Sequence, residues 1–389
     1  MAGDVAGGYG RVADAFAANF EDAGEDAAAV AVYVDGVKVV DLWGGRDVIG
    51  QRDAGSDALM MIASCSKGVT ASVLAILIET GRLDPEAPVA RYWPEFAASG
   101  KSDVTVGMVA SHTAGLPYPP LGSGLSGLDL HRGRAVTELL AQAPPLWVPG
   151  SAMAYHPVTY GTLLDEIVRR ATGADIASHV RSLIAEPLGL DLWIGLPEEF
   201  LPRVILDRWM APPTAPEESG AAEGSYAYLR QRFLEEEPPM NPDLSDPEAL
   251  REHYTASRPA IGAVTDARSL ARMYAALIGE VDGIRLISPE TLRAVTAPRT
   301  DTLETLVESG TTGPDIRFGL GYQLASPSMP GFGPSTFGHT GAGGRLGVAD
   351  PERGVAFGYV CSQMRYIGPQ GDPRWARLIA AISRSMGEG

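Results

Sequence analysis

The pattern of apolar and polar positions changes character twice along the chain. From Gly10 to Ala23, Val12, Ala15, Phe16 and Phe20 recur near helical spacing. Two β-rich runs follow, Val30–Val34 and Val37–Trp43, joined at Asp35-Gly36, a dipeptide suited to a tight hairpin. The pattern then turns helical: Met60 to Gly81 reads as one helix, with Val69, Val73, Ile76 and Leu77 at i, i+4, i+7 and i+8 and Gly81 as its stop. Between Pro85 and Pro197 short helical patterns alternate with Pro/Gly turns, the clearest being Thr162–Ala171 and Ile176–Leu188, and strand signals are few.

Residues 211–259 are the least regular, with Pro pairs at 212–213 and 238–239 and an acidic run at Glu235–Glu237. Such a stretch is either a linker or a long functional insert, and it is the candidate for a lid or acyl-pocket wall. A helix returns at Asp266–Ile278. Strand-like runs follow at Phe318–Leu324, Thr336–Thr340, Gly347–Ala349 and Val355–Cys361, and Pro373–Met386 closes the chain as a helix. Strands at both ends and helices between them predict an α/β fold of the α+β type, an antiparallel sheet flanked by helices. The sheet domain would be discontinuous, residues 1–84 and 260–389, with a mostly helical domain inserted at 85–259.

Composition narrows the function. The 389 residues carry a formal net charge of −17, which argues against nucleic acid or an anionic membrane surface as partner. Two cysteines, Cys65 and Cys361, make neither a disulfide scaffold nor a zinc motif. No basic n-region precedes an apolar run near Met1, and no apolar stretch is long enough to span a bilayer, so the expectation is a cytoplasmic protein with no membrane contact. The histidines lack metal-ligand spacing, and neither a metal nor a cofactor is expected. Lysine occurs only at 38, 67 and 101. In an arginine-dominated chain each lysine invites a question, because a desolvated lysine can act as a base and an arginine cannot.

Lys67 falls in Ser64-Cys65-Ser66-Lys67, at the start of a helix. At i and i+3 the two side chains share a face. A serine hydroxyl needs a neighbour to take its proton, and amides at a helix N-terminus can stabilise an oxyanion. Alone, the pattern also fits a solvated lysine in a first turn. Trp147-Val148-Pro149-Gly150 precedes Tyr155-His156-Pro157, where a phenol can relay a proton if its pKa falls well below about 10; Tyr160 is the competing phenol. His339-Thr340-Gly341-Ala342-Gly343-Gly344 follows a short strand, and its glycines permit close backbone approach to a ligand.

Taken in this order, Ser-x-x-Lys, Tyr and [His/Lys]-Thr-Gly resemble the serine β-lactamase and penicillin-binding-protein superfamily, and within it the class C branch that includes family VIII carboxylesterases. Ser111-His112-Thr113-Ala114-Gly115-Leu116 adds to the likeness, which runs from the hairpin near Val30 to Cys361. The resemblance implies Ser64 as nucleophile, Lys67 as base and Tyr155 as proton relay. It also implies an oxyanion hole made of the Ser64 and Ala342 N–H groups. His339, Thr340, Gly341 and Pro157 would line the substrate site. Two departures matter. Pro157 stands where β-lactamases of the branch carry Asn, and His339 stands where they carry Lys; both usual residues hold the antibiotic.

The expected activity is therefore hydrolysis of small carboxylic esters or related acyl substrates through a Ser64 acyl-enzyme, with short acyl chains favoured. An acyltransferase of secondary metabolism would use the same acyl-enzyme. So would a β-lactamase, peptidase or amidase, and a catalytically inert binding protein would keep the scaffold without the chemistry.

Overall fold

A computed structural model describes residues 1–125, 129, 133–210, 225–236, 246–306, 316–329, 331–365 and 371–387. Along the chain run β1 (Ala2–Val5), α1 (Gly10–Glu21), β2 (Ala27–Val34), β3 (Val37–Asp47), β4 (Met60–Met61) and α2 (Cys65–Glu79). Then come α3 (Thr159–Thr172), β5 (Leu192–Ile194), β6 (Ala263–Thr265), α4 (Ala267–Ile278), β7 (Arg317–Phe318) and β8 (Gln323–Leu324). The chain closes with β9 (Phe337–Gly341), β10 (Arg345–Asp350), β11 (Val355–Cys361) and α5 (Pro373–Gly387). The main sheet has the order β1-β3-β2-β11-β10-β9-β8-β7, antiparallel throughout, so the two chain ends meet at the β2–β11 pair.

Alternation along the central strands assigns their faces. On β2, Ala28, Val30 and Val32 join Phe357 and Tyr359 of β11 in a core against α1 and α5, with Val12, Phe16, Trp375 and Leu378. Ala27, Ala31, Ala349 and Ala356 line the opposite face. That face is built of small residues, and α4 lies close upon it. A Cβ at Gly347 would meet the Tyr274 ring and Leu270, and one at Gly358 would meet the Ala267 carbonyl. Asp266 caps α4 by accepting from Ser269 N–H. Beside α4, α2 packs against β9 and β10, and every residue from Cys65 to Leu77 is buried, as expected for a helix covered on all sides.

The structure departs from the sequence reading at several points. The helix expected from Met60 begins at Cys65; Met60–Met61 is strand β4, paired with β6. Between them Ala63 takes a left-handed φ of 46°, a conformation costing a residue with a Cβ about 1 kcal/mol, and this turns the chain into α2. Leu192–Ile194, which gave no strand signal, pairs with the other side of β6. The run Phe318–Leu324 is two short strands folded back at Gly319-Leu320-Gly321. Within 211–259, Tyr226–Glu236 and Pro247–Thr255 are helices. Residues 211–224 and 237–245 of that stretch, including Glu237 of the acidic run, lie outside the described residues. Among the described residues no helix is long and apolar enough to cross a membrane.

Candidate active site

Ser64 is the N-cap of α2, so its side chain leaves the helix at the end where the first-turn amides point outward. Cys65, Ser66 and Lys67 donate their own amide hydrogens to Ile62, Ala63 and Ser64. The Ser64 N–H makes no hydrogen bond to the described residues. The turn is braced from below: Ser66 Oγ donates to the Ala63 carbonyl at 2.6 Å and accepts from Ala263 N–H at 2.9 Å.

Lys67 is fully buried. Its Nζ lies 2.8 Å from the Pro157 carbonyl, 3.1 Å from the Ala260 carbonyl and 3.3 Å from Ser64 Oγ. Burial pushes its pKa well below the usual lysine value, opposed only by the Cys65 thiol. A neutral amine has two N–H groups and one lone pair. The two carbonyls accept from Nζ, and a neutral amine would keep its lone pair for the Ser64 hydroxyl proton. The other lysines serve differently. Lys101 is buried but donates to three carbonyls, those of Ala98, Ala141 and Ala143, and Lys38 pairs with Asp41 at 2.6 Å.

Tyr155 joins this pair. Lys67 Nζ stands 4.8 Å from its ring centroid, and its phenol interacts with the Ser64 side chain. Burial raises the phenol pKa, and the Ser64 hydrogen bond only partly offsets this. The condition of a pKa well below 10 is therefore not met: Tyr155 rests as a neutral phenol. Tyr160, the competing phenol, donates to the backbone carbonyls of Lys67 (3.2 Å) and Gly321 (3.4 Å) and is structural.

Strand β9 carries the third motif alongside α2. Cys65 Sγ donates to the His339 carbonyl at 3.1 Å, and Gly341 lies so close to Ile62 and Cys65 that a Cβ would not fit. Thr340 is anchored through N–H and Oγ1 to Gln323 Oε1, at 3.1 and 3.0 Å. Ala342 follows, and its N–H makes no hydrogen bond to the described residues. The backbone donors of Ser64, at the start of α2, and of Ala342, just after β9, are thus both unengaged among the described residues.

His339 is buried, its ring centroid 6.1 Å from that of Tyr155. Nδ1 donates to the Thr340 carbonyl at 2.7 Å, leaving Nε2 as an acceptor. Burial and the nearby Lys67 push its pKa down to about 3, so it presents no positive charge at neutral pH. Pro157 contributes its carbonyl, the acceptor for Lys67.

Sequence reasoning passed over two histidines that complete the cluster. His156 Nδ1 donates to the Ala154 carbonyl at 2.6 Å while Nε2 accepts from Leu116 N–H at 3.1 Å. His112, in a left-handed conformation (φ 64°), accepts the His156 N–H at Nδ1 and packs against Tyr155, Tyr160 and Phe318. Its loop motif was visible in the sequence; its contact with Tyr155 was not. Tyr118, Val158, Leu125, Tyr226 and Leu229 form an apolar cluster beside the site, and Tyr226 Oη donates to the Tyr155 carbonyl at 3.4 Å. Among the described residues no three His, Cys, Asp or Glu side chains converge as metal ligands would.

Residues 12–382 match the family model described as Beta-lactamase. The esterase/beta-lactamase LipL of Mycobacterium tuberculosis is 36% identical over 375 residues, covering 91% of this chain and 81% of the relative. A family VIII carboxylesterase of known crystal structure superposes with a TM-score of 0.85 at 32% identity, covering 99% of both chains. A penicillin-binding-protein homologue from Caulobacter crescentus gives 0.80 at 36% identity, again covering 99% of both.

Proposed function

Since this chain belongs to the beta-lactamase family and is a serine hydrolase, we propose that it cleaves small carboxylic esters through an acyl-enzyme on Ser64, with Lys67 as base and Tyr155 as relay. The observation that carries this reading is the buried Lys67 amine, its two N–H groups committed to carbonyls and its third contact the Ser64 hydroxyl.

In the proposed cycle Ser64 Oγ attacks the ester carbonyl carbon while its proton passes to Lys67 Nζ. The oxyanion is held by the N–H groups of Ser64 and Ala342. Collapse expels the alkoxide, which takes the Tyr155 proton as Lys67 restores it, leaving the ester of Ser64. Water then attacks that ester by the same route in reverse, releasing the acid and the free serine. With its pKa raised, Tyr155 fills this role only by giving one proton as it receives another, without persisting as phenolate.

An uncharged ester is favoured over a β-lactam or peptide carboxylate for a stated reason. Where the branch's β-lactamases have lysine, neutral His339 supplies no counter-charge, and Pro157 supplies no amide. The relative LipL carries both activities in its name, so slow turnover of a chromogenic cephalosporin is compatible with this reading. The apolar cluster of Tyr118, Val158, Tyr226 and Leu229 is the proposed wall for the acyl group.

The test is the initial rate on p-nitrophenyl butyrate for the protein and its Ser64→Ala variant. A rate that vanishes in the variant supports the nucleophile; a rate that survives defeats it. Product analysis with an added alcohol distinguishes hydrolysis from acyl transfer, and failure of a fluorophosphonate to label the folded protein would favour a binding scaffold.

A further inference from the structure

The bridge between β9 and β10 is three residues long, and two of them, Gly343 (φ 84°) and Gly344 (φ 107°), take backbone conformations that side chains disfavour. Such a bridge has little conformational preference of its own. Its carbonyls at Ala342 and Gly343 are nevertheless both held by buried guanidinium groups. Arg345 Nη1 donates to the Ala342 carbonyl at 2.8 Å, and Arg374 Nη2 donates to the Gly343 carbonyl at 2.5 Å. Arg345 has no exposed surface, and its Nη2 pairs with Asp207 Oδ1. Burial pushes the Asp207 carboxyl up to about 6 against the pull of that guanidinium, as expected of a pair largely shielded from water, with 11% of the Asp207 side chain exposed.

Asp207 is itself held on both sides. Leu206 N–H donates to Asp47 Oδ2 at 3.2 Å, and Arg208 makes a two-pronged pair with Asp26 at 2.7 Å. The strand that follows, Arg208–Trp209, pairs in parallel with Gln363–Met364. Neither Asp207 nor Arg345 belongs to a catalytic motif, and 138 positions separate them in sequence. A buried ion pair of this kind is a weak source of net stability, and its attested use is to specify one arrangement.

We propose that the Asp207–Arg345 pair is a positioning device for the oxyanion donor: by holding the Ala342 carbonyl it fixes the bridge so that the Ala342 N–H stays free beside Ser64. The proposal rests on the reading of Ala342 N–H as the second oxyanion donor. Asp207 and Arg345 touch no substrate; they hold the Ala342–Gly343 peptide and act on the Ala342 N–H from one peptide further along the bridge. Loss of a whole oxyanion donor lowers kcat by about 10²–10³, and a donor left in place but misaimed should cost a part of that.

The experiment uses the full chain with Asp207→Asn, which keeps the shape and removes the charge, and Arg345→Lys, which keeps the charge and removes the fork. We expect kcat on p-nitrophenyl butyrate to fall about tenfold or more with KM within about twofold. Inhibition by butylboronic acid, whose tetrahedral adduct places an oxygen in the same hole, should weaken by a similar factor. Lys101→Met, a buried structural change distant in sequence from the bridge, should lose stability without losing kcat. A folded Asp207→Asn protein with kcat within twofold of the parent, or with only KM changed, overturns the proposal. If that variant does not fold, Arg345→Lys decides by the same two numbers. A parent without esterase activity, or activity surviving in Ser64→Ala, defeats the functional reading instead, so the two failures are distinguishable.

Discussion

Replacing Lys67 by Met tests whether the amine rests unprotonated. Met matches the lysine stem in length and flexibility, so the buried channel stays filled. The carbonyls of Pro157 and Ala260 lose their donor, at a cost of about 1–3 kcal/mol each that does not vary with pH. What does vary is the proton. An unfolded lysine holds it up to about pH 10.5, whereas in the folded protein burial lowers that value well below 10.5. Between the folded and unfolded values the unfolded chain binds one more proton, so stability rises with pH there and is lost as pH falls through that window. The slope is about 1.4 kcal/mol per pH unit for one proton. The neighbouring His339 and His156 sit at about 3 and 4, below the window, and do not disturb it. Urea unfolding followed by tryptophan fluorescence in half-unit steps from pH 7 to 10 gives the assay. The stability of the parent minus that of Lys67→Met should climb by about 1.4 kcal/mol per unit, and the pH at which the climb begins reports the folded-state pKa. In parallel, kcat should fall by about 10²–10⁴, a barrier increase of about 3–5 kcal/mol. A stability difference independent of pH across this range would mean that Lys67 stays protonated in the folded protein. The lone pair on which the mechanism depends would then be absent.

Tyr155→Phe keeps the ring against His112 and Phe318 and removes only the relay; kcat should drop by about 10²–10⁴ with unfolding free energy changed by less than about 1 kcal/mol. Gly68→Ala should destabilise, although alanine is the better helix former by about 1 kcal/mol, because its methyl would strike the Tyr274 hydroxyl. Among the described residues that buried hydroxyl has no hydrogen-bond partner, so adding Tyr274→Phe should recover part of the loss, measurable as a coupling in urea unfolding. Lys101→Met strands the carbonyls of Ala98, Ala141 and Ala143 and should cost about 3 kcal/mol or more of unfolding free energy. Tyr226→Ala should raise KM for butyrate esters more than it lowers kcat, and equal rates at all acyl lengths would remove Tyr226 from the acyl wall.

What the sequence determined by itself is whatever short-range chemistry dictates. The Asp35-Gly36 hairpin, the helices at Gly10, Asp266 and Pro373, and the Ser64–Lys67 spacing each depend on residues within a few positions of one another. The pairing of the chain ends in one sheet followed from strands at both ends and helices between. Other features came only from the tertiary structure, because they depend on partners far apart along the chain. The break before α2 is one: periodicity ran on to Met60, but β6, about two hundred positions away, claims Met60–Met61 as a strand. The protonation of the site is another. The raised pKa of Tyr155, the neutral imidazole of His339 and the lowered pKa of Lys67 all follow from burial, which no local pattern displays. The same holds for the acceptors that commit the Lys67 N–H groups, the carbonyls of Pro157 and Ala260. Every residue has a carbonyl, so a motif cannot mark which ones the fold will aim at an amine; long-range packing alone selects them.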